Sequence, residues 1–334
     1  MISAPSMTAT ESSRPDRRLL LWYPWLGSFL PGTEYLPPEY YERILKPYVF
    51  SGISDLGLFR GFLLRNGNKA GMRALEIGPG TGRATGVVLG ALDLHRLVLL
   101  DQSHRMIDFL RWRLGQSGRV EFVERDAVTY LSSIRNSYDL VFSLWGLSHS
   151  VHQTLGRLGL LRGSRRVYQA LRDLFCRGLA DGGYFYLVHF DSTSDEQNIS
   201  LRQRSKITPW LQPGQQSPSK RLLDRVLERL QREGVVDFQV THLLGDPVIY
   251  SDINEALEIF MNFHMEGYLN NSAGVGDVIT ELRRDLKLFE APNKTIHVRP
   301  ACFVYVCQKK PVVAQQRVAS IFATTRGLAT GWAS

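Results

Sequence analysis

Short apolar runs alternate with amphipathic stretches through the middle of the chain. The runs have the length and the β-branched and aromatic content of buried strands. The stretches between them repeat their apolar positions at helical spacing. The pattern predicts strands at 73–77, 96–100, 119–124, 138–143 and 184–190, and helices at 81–92, 103–114 and 164–179.

Strands that alternate with helices in this way predict a parallel sheet covered by helices on both faces. In such a sheet, ligands bind at the carboxyl ends of the strands, near the point where the strand order reverses. Polar residues stand at or just past these ends, namely Glu76, Asp101, Asp126 and Ser143. We therefore expect an α/β fold with a ligand site along this edge.

The carboxyl half continues the pattern with one interruption. Strands are predicted at 235–242 and 301–307, and the segment 243–300 between them holds two helical patterns, at 254–269 and 274–288. We expect this insertion to cover the ligand pocket and to set its size. A helix at 220–232 is amphipathic with a basic face, which is typical of a solvated surface.

Composition and charge limit the classes of function. No run of about 18 apolar residues occurs, so we expect no membrane span. Three cysteines without metal-ligand spacing, Cys176, Cys302 and Cys307, indicate a reducing, cytoplasmic location and no metal site. The formal charge of +8 is spread along the chain. It permits an acidic partner, but the spread favours a basic surface over a nucleic-acid site.

The most informative segment is the glycine-rich turn after the first predicted strand. The strand carries Glu76, glycines follow at 78, 80 and 82, and a helix begins near Arg83. Glycines allow tight turns and let the backbone approach a ligand closely. The start of the helix presents free N–H groups and a partial positive charge. The acid at 76 argues against a phosphate ligand and for hydroxyl or ammonium groups.

The spacing separates two candidate cofactors. The dinucleotide fingerprint requires Gly-x-Gly-x-x-Gly, whereas this chain has Arg83 in place of the third glycine. Asp101 follows Gly82 at a distance suited to accepting both ribose hydroxyls. A second acid, Asp126, stands where an adenine amino group is expected, although an acid at this place is often only a helix N-cap. Together these features favour S-adenosylmethionine.

Residues 70–190 resemble the class I S-adenosylmethionine-dependent methyltransferases. The motifs are 74–82, 98–101, 124–127 and 138–143, with the turn 179–184 into the fifth strand. The resemblance implies a Rossmann-like seven-stranded sheet with an N-terminal helical lid and a helical insertion before the last strand. It also implies an S-adenosylmethionine site formed by Glu76, Gly78, Gly80, Gly82, Arg83, Asp101, Gln102, Asp126, Ala127 and Ser143.

The resemblance defines the expected layout of the chain. We predict disordered ends, a lid or substrate segment before the sheet, and one Rossmann-like domain that continues to the last strand. The boundaries are 1–17 for the disordered amino terminus, 18–70 for the lid, 71–195 for the cofactor-binding core, 196–310 for the rest of that domain with its cap at 243–300, and 311–334 for the disordered tail.

Two narrower resemblances concern the methyl acceptor. Residues 51–83 and 144–149 are similar to α-N-terminal protein N-methyltransferases, which carry a tryptophan and a histidine at the positions of Trp145 and His149. This similarity ends near residue 150. The outline of the carboxyl half resembles histamine-type N-methyltransferases. Because both families methylate amines, we predict N-methylation of an amine on a small molecule or peptide.

Catalysis and substrate binding are assigned by position. A histidine near the cofactor can take the proton that an ammonium group must lose, so His149 is the candidate base, and His152, three residues on, shares its face if the segment is helical. Trp145 is expected to line the methyl-transfer site. The candidate substrate residues are Trp22, Tyr23, Trp25, Tyr35, Tyr41, His189 and Arg299, the aromatic members of which can also simply pack the lid.

Other functions use the same cofactor motifs. An O- or C-methyltransferase of natural-product biosynthesis needs only a different acceptor. An RNA methyltransferase agrees with the basic charge, but the sequence at 143–146 lacks the Asn/Asp-Pro-Pro-aromatic pattern. A non-catalytic subunit that binds the cofactor is a fourth possibility. For the enzyme we expect a monomer or homodimer without a nucleic-acid or membrane partner.

Overall fold

The computed structural model describes residues 17–28, 36–67, 69–115, 118–270, 272 and 274–311. The predicted disordered ends lie almost wholly outside these residues. The chain divides into two compact units. The first unit takes residues 1–47, 193–214 and 247–300, and the second takes residues 48–192, 215–246 and 301–334.

The strands agree closely with the sequence pattern. All five predicted core strands form, and so do the two later ones. The strands are β1 Val49–Phe50, β2 Ile53–Ser54, β3 Met72–Ile77, β4 Leu94–Asp101, β5 Val120–Glu124, β6 Tyr138–Leu144, β7 Leu179–Phe190, β8 Val236–Leu244, β9 Val248–Tyr250, β10 Ile296–Val298 and β11 Ala301–Lys309.

A seven-stranded sheet forms the centre of the second unit. Its order is β5–β4–β3–β6–β7–β11–β8, in which the first five strands are parallel and β11 is antiparallel to both of its neighbours. The strand order reverses between β3 and β6. Both strands are mostly buried, as the apolar runs predict for a sheet covered on two faces. The predicted Rossmann-like α/β fold is confirmed.

Helices cover the sheet and form most of the first unit. Short 3₁₀ and π segments occur at Pro24–Ser28, Leu174–Gly178 and Phe260–His264. The α-helices are α1 Arg17–Trp22, α2 Pro38–Ile44, α3 Asp55–Asn66, α4 Arg83–Ala91, α5 His104–Leu114, α6 Ala127–Leu131, α7 Gly146–Asp173, α8 Asp195–Arg204, α9 Pro218–Arg232, α10 Ile253–Ile259 and α11 Val275–Lys287.

Helix α7 is a hairpin of two helical arms. Gly159 has φ 72° and ψ 162°, which lies outside the helical region. A Cβ atom on Gly163 would lie 3.0 Å from the Cα atom of Leu155. Eight residues of continuous helix would separate these positions by about 12 Å. The chain therefore folds back at Gly159, and the arm before it, from Gly146, is a helix that the sequence pattern did not predict.

The predicted insertion 243–300 is helical, as expected, and falls mainly in the first unit. The segment predicted as one helix at 254–269 is α10 followed by a π-helical turn, and its Met261 and Met265 are buried. A small antiparallel pair, β9 with β10, was not predicted. Among the described residues, no helix combines the length and the apolar content needed to cross a membrane.

Candidate active site

The glycine-rich turn joins β3 to α4 at the point where the strand order reverses. Gly78 has φ 69°, and a Cβ atom there would lie 3.0 Å from the Cα atom of Gly146, at the start of α7. The turn therefore packs directly on the backbone that follows β6. Gly80 has φ 55° and faces open space, where a Cβ atom would meet nothing within 4 Å. This open backbone fits a cofactor that lies against the turn.

Glu76 is a buried acid beneath this turn. Its Oε2 atom accepts a hydrogen bond of 2.6 Å from the Thr85 hydroxyl. The pKa of Glu76 is raised to about 8, mainly by burial; the Thr85 hydrogen bond lowers it and the nearby charge of Asp101 raises it by smaller amounts. Without a ligand, Glu76 is therefore mostly neutral at pH 7. A ligand cation would favour its ionised form.

Asp101 ends β4 and faces the same turn. Its Oδ1 atom accepts from the backbone N–H of Ser103 at 2.9 Å, and Oδ2 accepts from that of Gly80 at 3.4 Å. Burial raises the pKa of Asp101 to about 6, although these backbone hydrogen bonds lower it. The carboxylate is thus mostly ionised at pH 7. The next residue, Gln102, donates from its side-chain amide to Gln153.

Asp126 caps helix α6, as an acid after a strand often does. Its Oδ1 atom accepts from the backbone N–H of Thr129 at 2.8 Å and from the Thr129 hydroxyl at 2.7 Å. Arg157 lies 3.3 Å from the other oxygen. Ala127 follows and is buried. The adenine contact of Asp126 and Ala127 stays a prediction, and the carboxylate already has a structural role.

Ser143 is buried at the carboxyl end of β6. Its hydroxyl donates to the carbonyl oxygen of Ile77 at 2.7 Å and accepts from the backbone N–H of Leu147 at 3.0 Å. The side chain therefore joins β3 to the start of α7 across the point where the strand order reverses. A cofactor contact of Ser143 stays a prediction.

Trp145 stands between β6 and α7 in a conformation that is rare for its type. Its backbone is left-handed, with φ 71° and ψ −22°. The indole ring packs against Tyr48, at 4.9 Å between ring centroids, and stacks on Phe190 at 5.8 Å. Its Nε1 atom donates to Asp55 at 3.0 Å. We call Tyr48, Trp145 and Phe190 the aromatic wall.

Asp55 is the main site residue that sequence reasoning missed. It lies at the start of α3, and its side chain is fully buried. It binds both Trp145 and Arg83, whose Nη2 atom is 3.1 Å from Oδ1. The only local signal was Ser54-Asp55 before a helix, which is typical of a helix start. Arg83 is one of the predicted cofactor residues, and its guanidinium is bonded to Asp55.

His149 lies beside the aromatic wall on the first arm of α7. Its half-buried ring meets Phe190 edge-on, with centroids 5.5 Å apart. His152 follows three residues later and is also half-buried. Because this arm is helical, the two imidazoles lie on one face, as predicted. A role for either histidine in proton transfer stays a prediction.

Comparison with known proteins identifies the sheet domain. Residues 74–168 match a family described as methyltransferase domain, and the match includes the glycine turn, Asp101, Trp145 and His149. By this match the sheet domain contains a methyltransferase domain at residues 74–168, and S-adenosylmethionine is its cofactor. The predicted family, enzyme class and cofactor are therefore confirmed.

Similar solved structures have low sequence identity, and two of the following three are N-methyltransferases. YcgJ from Bacillus subtilis is 14% identical, with 75% of this chain and 98% of that chain covered and a TM-score of 0.48. Phosphoethanolamine N-methyltransferase 2 from Haemonchus contortus, in complex with S-adenosyl-L-methionine, is 17% identical. The match covers 86% of this chain and 60% of that chain, with a TM-score of 0.46. N-methyltransferase NodS from Bradyrhizobium japonicum is 12% identical, with 76% of this chain and 86% of that chain covered and a TM-score of 0.39. No curated protein sequence matches the chain.

His189 of the methyltransferase domain is fully packed rather than surface-exposed. Its Nδ1 atom lies 2.8 Å from the carbonyl oxygen of Phe190, which can only accept, so Nδ1 carries the proton. Nε2 then accepts from the Ser219 hydroxyl at 2.8 Å. Burial lowers the pKa of His189 to about 4, so it stays neutral at pH 7. It connects β7 to α9, and its predicted substrate contact has no observation in its favour.

The remaining substrate candidates belong to the first unit. Trp22 is 80% exposed, and Arg299 is exposed as well. The Tyr23 hydroxyl accepts from Arg283 at 3.0 Å, and the ring of Tyr41 packs on Phe263. Tyr35 lies outside the described residues. The structure brings the cofactor candidates, Trp145, His149 and His152 together in the second unit. In the first unit, the Trp25 ring packs on Tyr23.

Asp191 and His242 form a polar pair at the carboxyl ends of β7 and β8, which was not predicted from the sequence. The Nε2 atom of His242 is 2.8 Å from Oδ2 of Asp191, and the imidazole stacks on Phe303 at 4.8 Å. The available signal was Asp191 directly after an apolar strand, the same signal that marked Asp101. Within the described ranges, no group of three or more His, Cys, Asp or Glu side chains is placed to hold a metal.

Proposed function

We propose that the methyltransferase domain transfers a methyl group to the nitrogen of an amine on a small molecule or peptide. The observation that carries this proposal is the aromatic wall with His149 against its edge, next to the glycine turn. Aromatic faces attract cations. An imidazole can accept a proton near neutral pH. An amine acceptor requires both properties.

Bound S-adenosylmethionine supplies a methyl group that its sulfonium already activates, so the protein needs to provide alignment and a proton acceptor rather than a covalent intermediate. Open backbone at Gly80, the carboxylate of Asp101 and the acid Glu76, which a bound cation would favour in its ionised form, make a fitting cradle. Trp145, whose ring packs against both Tyr48 and Phe190, gives the acceptor a fixed surface. Alignment of this kind contributes about 7–11 kcal/mol in the most favourable cases.

The amine has to be neutral when it reacts, because an ammonium group has no lone pair. His149 is the half-buried imidazole beside the aromatic wall and takes this proton in the proposed reaction. General-base catalysis of this type contributes about 10²–10⁴-fold in rate. A phenol acceptor would make the same demand on His149, whereas a carbon acceptor need not use this base.

Cofactor binding is the first measurement. Calorimetry with S-adenosylhomocysteine is expected to show binding by the wild-type protein and weaker binding by Asp101→Ala and Gly80→Val. Labelled-methyl transfer to a panel of amines, phenols, carbon acids, peptides and RNA then identifies the acceptor. Transfer to amines supports the proposal. Transfer only to a hydroxyl, a carbon or RNA refutes it.

His149→Ala tests the base. We expect turnover with the best amine to fall about 10²-fold or more at pH 7, with part of the loss recovered at pH 9, where more of the free amine is neutral. His104→Ala is the control, because His104 is exposed on α5 beside Glu124. Unchanged turnover of His149→Ala across pH 6–9 would remove His149 as the base.

A further inference from the structure

One carboxylate connects the cofactor turn to the aromatic wall. Asp55 accepts on Oδ1 from the Arg83 guanidinium at 3.1 Å, and on Oδ2 from the Trp145 indole at 3.0 Å. The backbone N–H of Leu56 also donates to Oδ1, at 2.9 Å. Oδ1 is thus bonded to the cofactor turn and Oδ2 to the aromatic wall.

Because the Asp55 side chain is buried, its charge depends on these hydrogen bonds for stabilisation. A buried charge is tolerated only when charged or hydrogen-bonding partners compensate its lost hydration. The side chain of Asp55 is fully buried, and its three donors come from α3, α4 and the residue before α7. The carboxylate therefore holds three separate segments of chain in one arrangement.

Both of its side-chain partners are in unfavourable local settings. Arg83 places a positive charge in the first turn of α4, where the helix dipole opposes it. Trp145 adopts a left-handed backbone that is strained for a tryptophan. Such conformations persist only where the surroundings over-determine them. The Asp55 carboxylate is the group that both residues share.

We propose that Asp55 is a positioning residue for methyl transfer. Through Oδ1 it directs Arg83 towards the cofactor, and through Oδ2 it fixes the plane of Trp145 at the acceptor. The part concerning turnover rests on the proposed function. Because the two oxygens have different partners, loss of the carboxylate has two separable effects: weaker cofactor binding through Arg83 and slower transfer through Trp145.

Double-mutant cycles separate the two effects. Trp145→Phe keeps a ring and removes only the indole N–H, and Arg83→Met keeps the aliphatic stem and removes the charge. Asp55→Asn retains the size of the side chain and loses its charge and one acceptor. Ser54→Ala is the matched control, since the Ser54 hydroxyl caps the same helix by accepting from the backbone N–H of Gly57.

We expect Asp55→Asn to weaken S-adenosylhomocysteine binding about tenfold in the wild-type background and less than threefold in Arg83→Met. We expect it to lower kcat about tenfold in the wild-type background and less than threefold in Trp145→Phe. Additive losses in both cycles, or losses that Ser54→Ala reproduces, overturn the proposal.

A spectroscopic measurement keeps the test independent of activity. In protein labelled with 5-fluorotryptophan, Trp145→Phe identifies the ¹⁹F resonance of Trp145. Asp55→Asn and Arg83→Met are both expected to move it, and Ser54→Ala is not. A resonance that neither variant moves overturns the proposal, and Arg83→Met alone decides if Asp55→Asn does not fold. Absence of methylation with a moved resonance would instead count against the proposed function alone.

Discussion

The cofactor side and the acceptor side of the site are built from different parts of the chain. The cofactor side consists largely of backbone: a turn with left-handed glycines at Gly78 and Gly80, with one carboxylate, Asp101, bonded to it. The acceptor side consists of side chains from distant segments, of which Tyr48, Trp145 and Phe190 form the wall. A site made by backbone is readable in a few consecutive residues, whereas a site made by packing is not.

The two sides should therefore respond differently to substitution. A change of backbone conformation on the cofactor side should affect binding and stability together. A change of side chain on the acceptor side should affect turnover and leave cofactor affinity nearly unchanged. The following changes test this contrast.

Gly78→Ala should have the largest effect. The new Cβ lies 3.0 Å from the Cα of Gly146, so backbone has to shift to admit it, and φ 69° is itself strained for alanine. We expect the free energy of unfolding to fall by about 2–5 kcal/mol and S-adenosylhomocysteine binding to be lost. Urea denaturation and calorimetry measure both. Gly71→Ala is the control, with φ 66° and nothing within 4 Å of its Cβ. Equal losses for the two variants would show that the contact with Gly146 is unimportant.

Glu76→Gln should remove a pH dependence of stability. The folded pKa of Glu76 is about 8, above its ordinary value of 4.5, so between these pH values the folded protein holds a proton that the unfolded chain has released. The free energy of unfolding therefore falls as pH rises through this window, by about 2–3 kcal/mol between pH 6 and 8. Denaturation of the cofactor-free protein at several pH values measures the slope. The idea fails if Glu76→Gln retains the wild-type slope.

Phe190→Leu should affect only the acceptor side. It removes the ring that packs on Trp145 and His149, and aromatic pairs contribute about 0.5–1.5 kcal/mol beyond their buried area. We expect turnover to fall about two- to tenfold, while S-adenosylhomocysteine affinity changes less than twofold. Steady-state kinetics and calorimetry measure the two quantities. A parallel loss of both would erase the contrast between the two sides.

Substitutions of Asp126 should have the smallest effect, and they decide whether the residue only caps α6 or also binds adenine. Asp126→Ala loses the cap of α6, which is expected to cost about 1 kcal/mol of stability, and weakens cofactor binding a few-fold. Asp126→Ser restores the cap but cannot bind an adenine amino group as a carboxylate does. We expect it to restore stability and not affinity. Recovery of both would leave Asp126 with a capping role alone.

Local patterns were enough to predict the parallel strands, the glycine turn and Asp101. Each depends on residues close together in sequence, or on strand ends that the topology places at one edge. The same reasoning could not find Asp55, because its importance arises from partners 28 and 90 residues away. It also placed His189 at a substrate site, since a sequence shows that a residue ends a strand but not which face it occupies. His189 is buried against Ser219.

The first arm of α7 escaped prediction for a related reason. The first arm of α7 contains Gly146, Ser148 and Ser150, which have weak helix propensity, and the arm forms because Leu147, Val151 and Leu155 pack into the core. Tertiary packing decided the outcome, and it left His149 and His152 on one helical face.

The hairpin of α7 also makes the methyltransferase domain divisible. Leu158, Leu160 and Leu161 surround Gly159 at an exposed tip, where Leu161 is 69% open to solvent. Such tips tolerate insertion and cleavage better than packed segments do. A cut there leaves the glycine turn, Asp101 and the aromatic Trp145 on one fragment, and β7, β8 and β11 on the other. We expect the two fragments, each fused to one of two interacting proteins, to regain cofactor binding when those proteins meet.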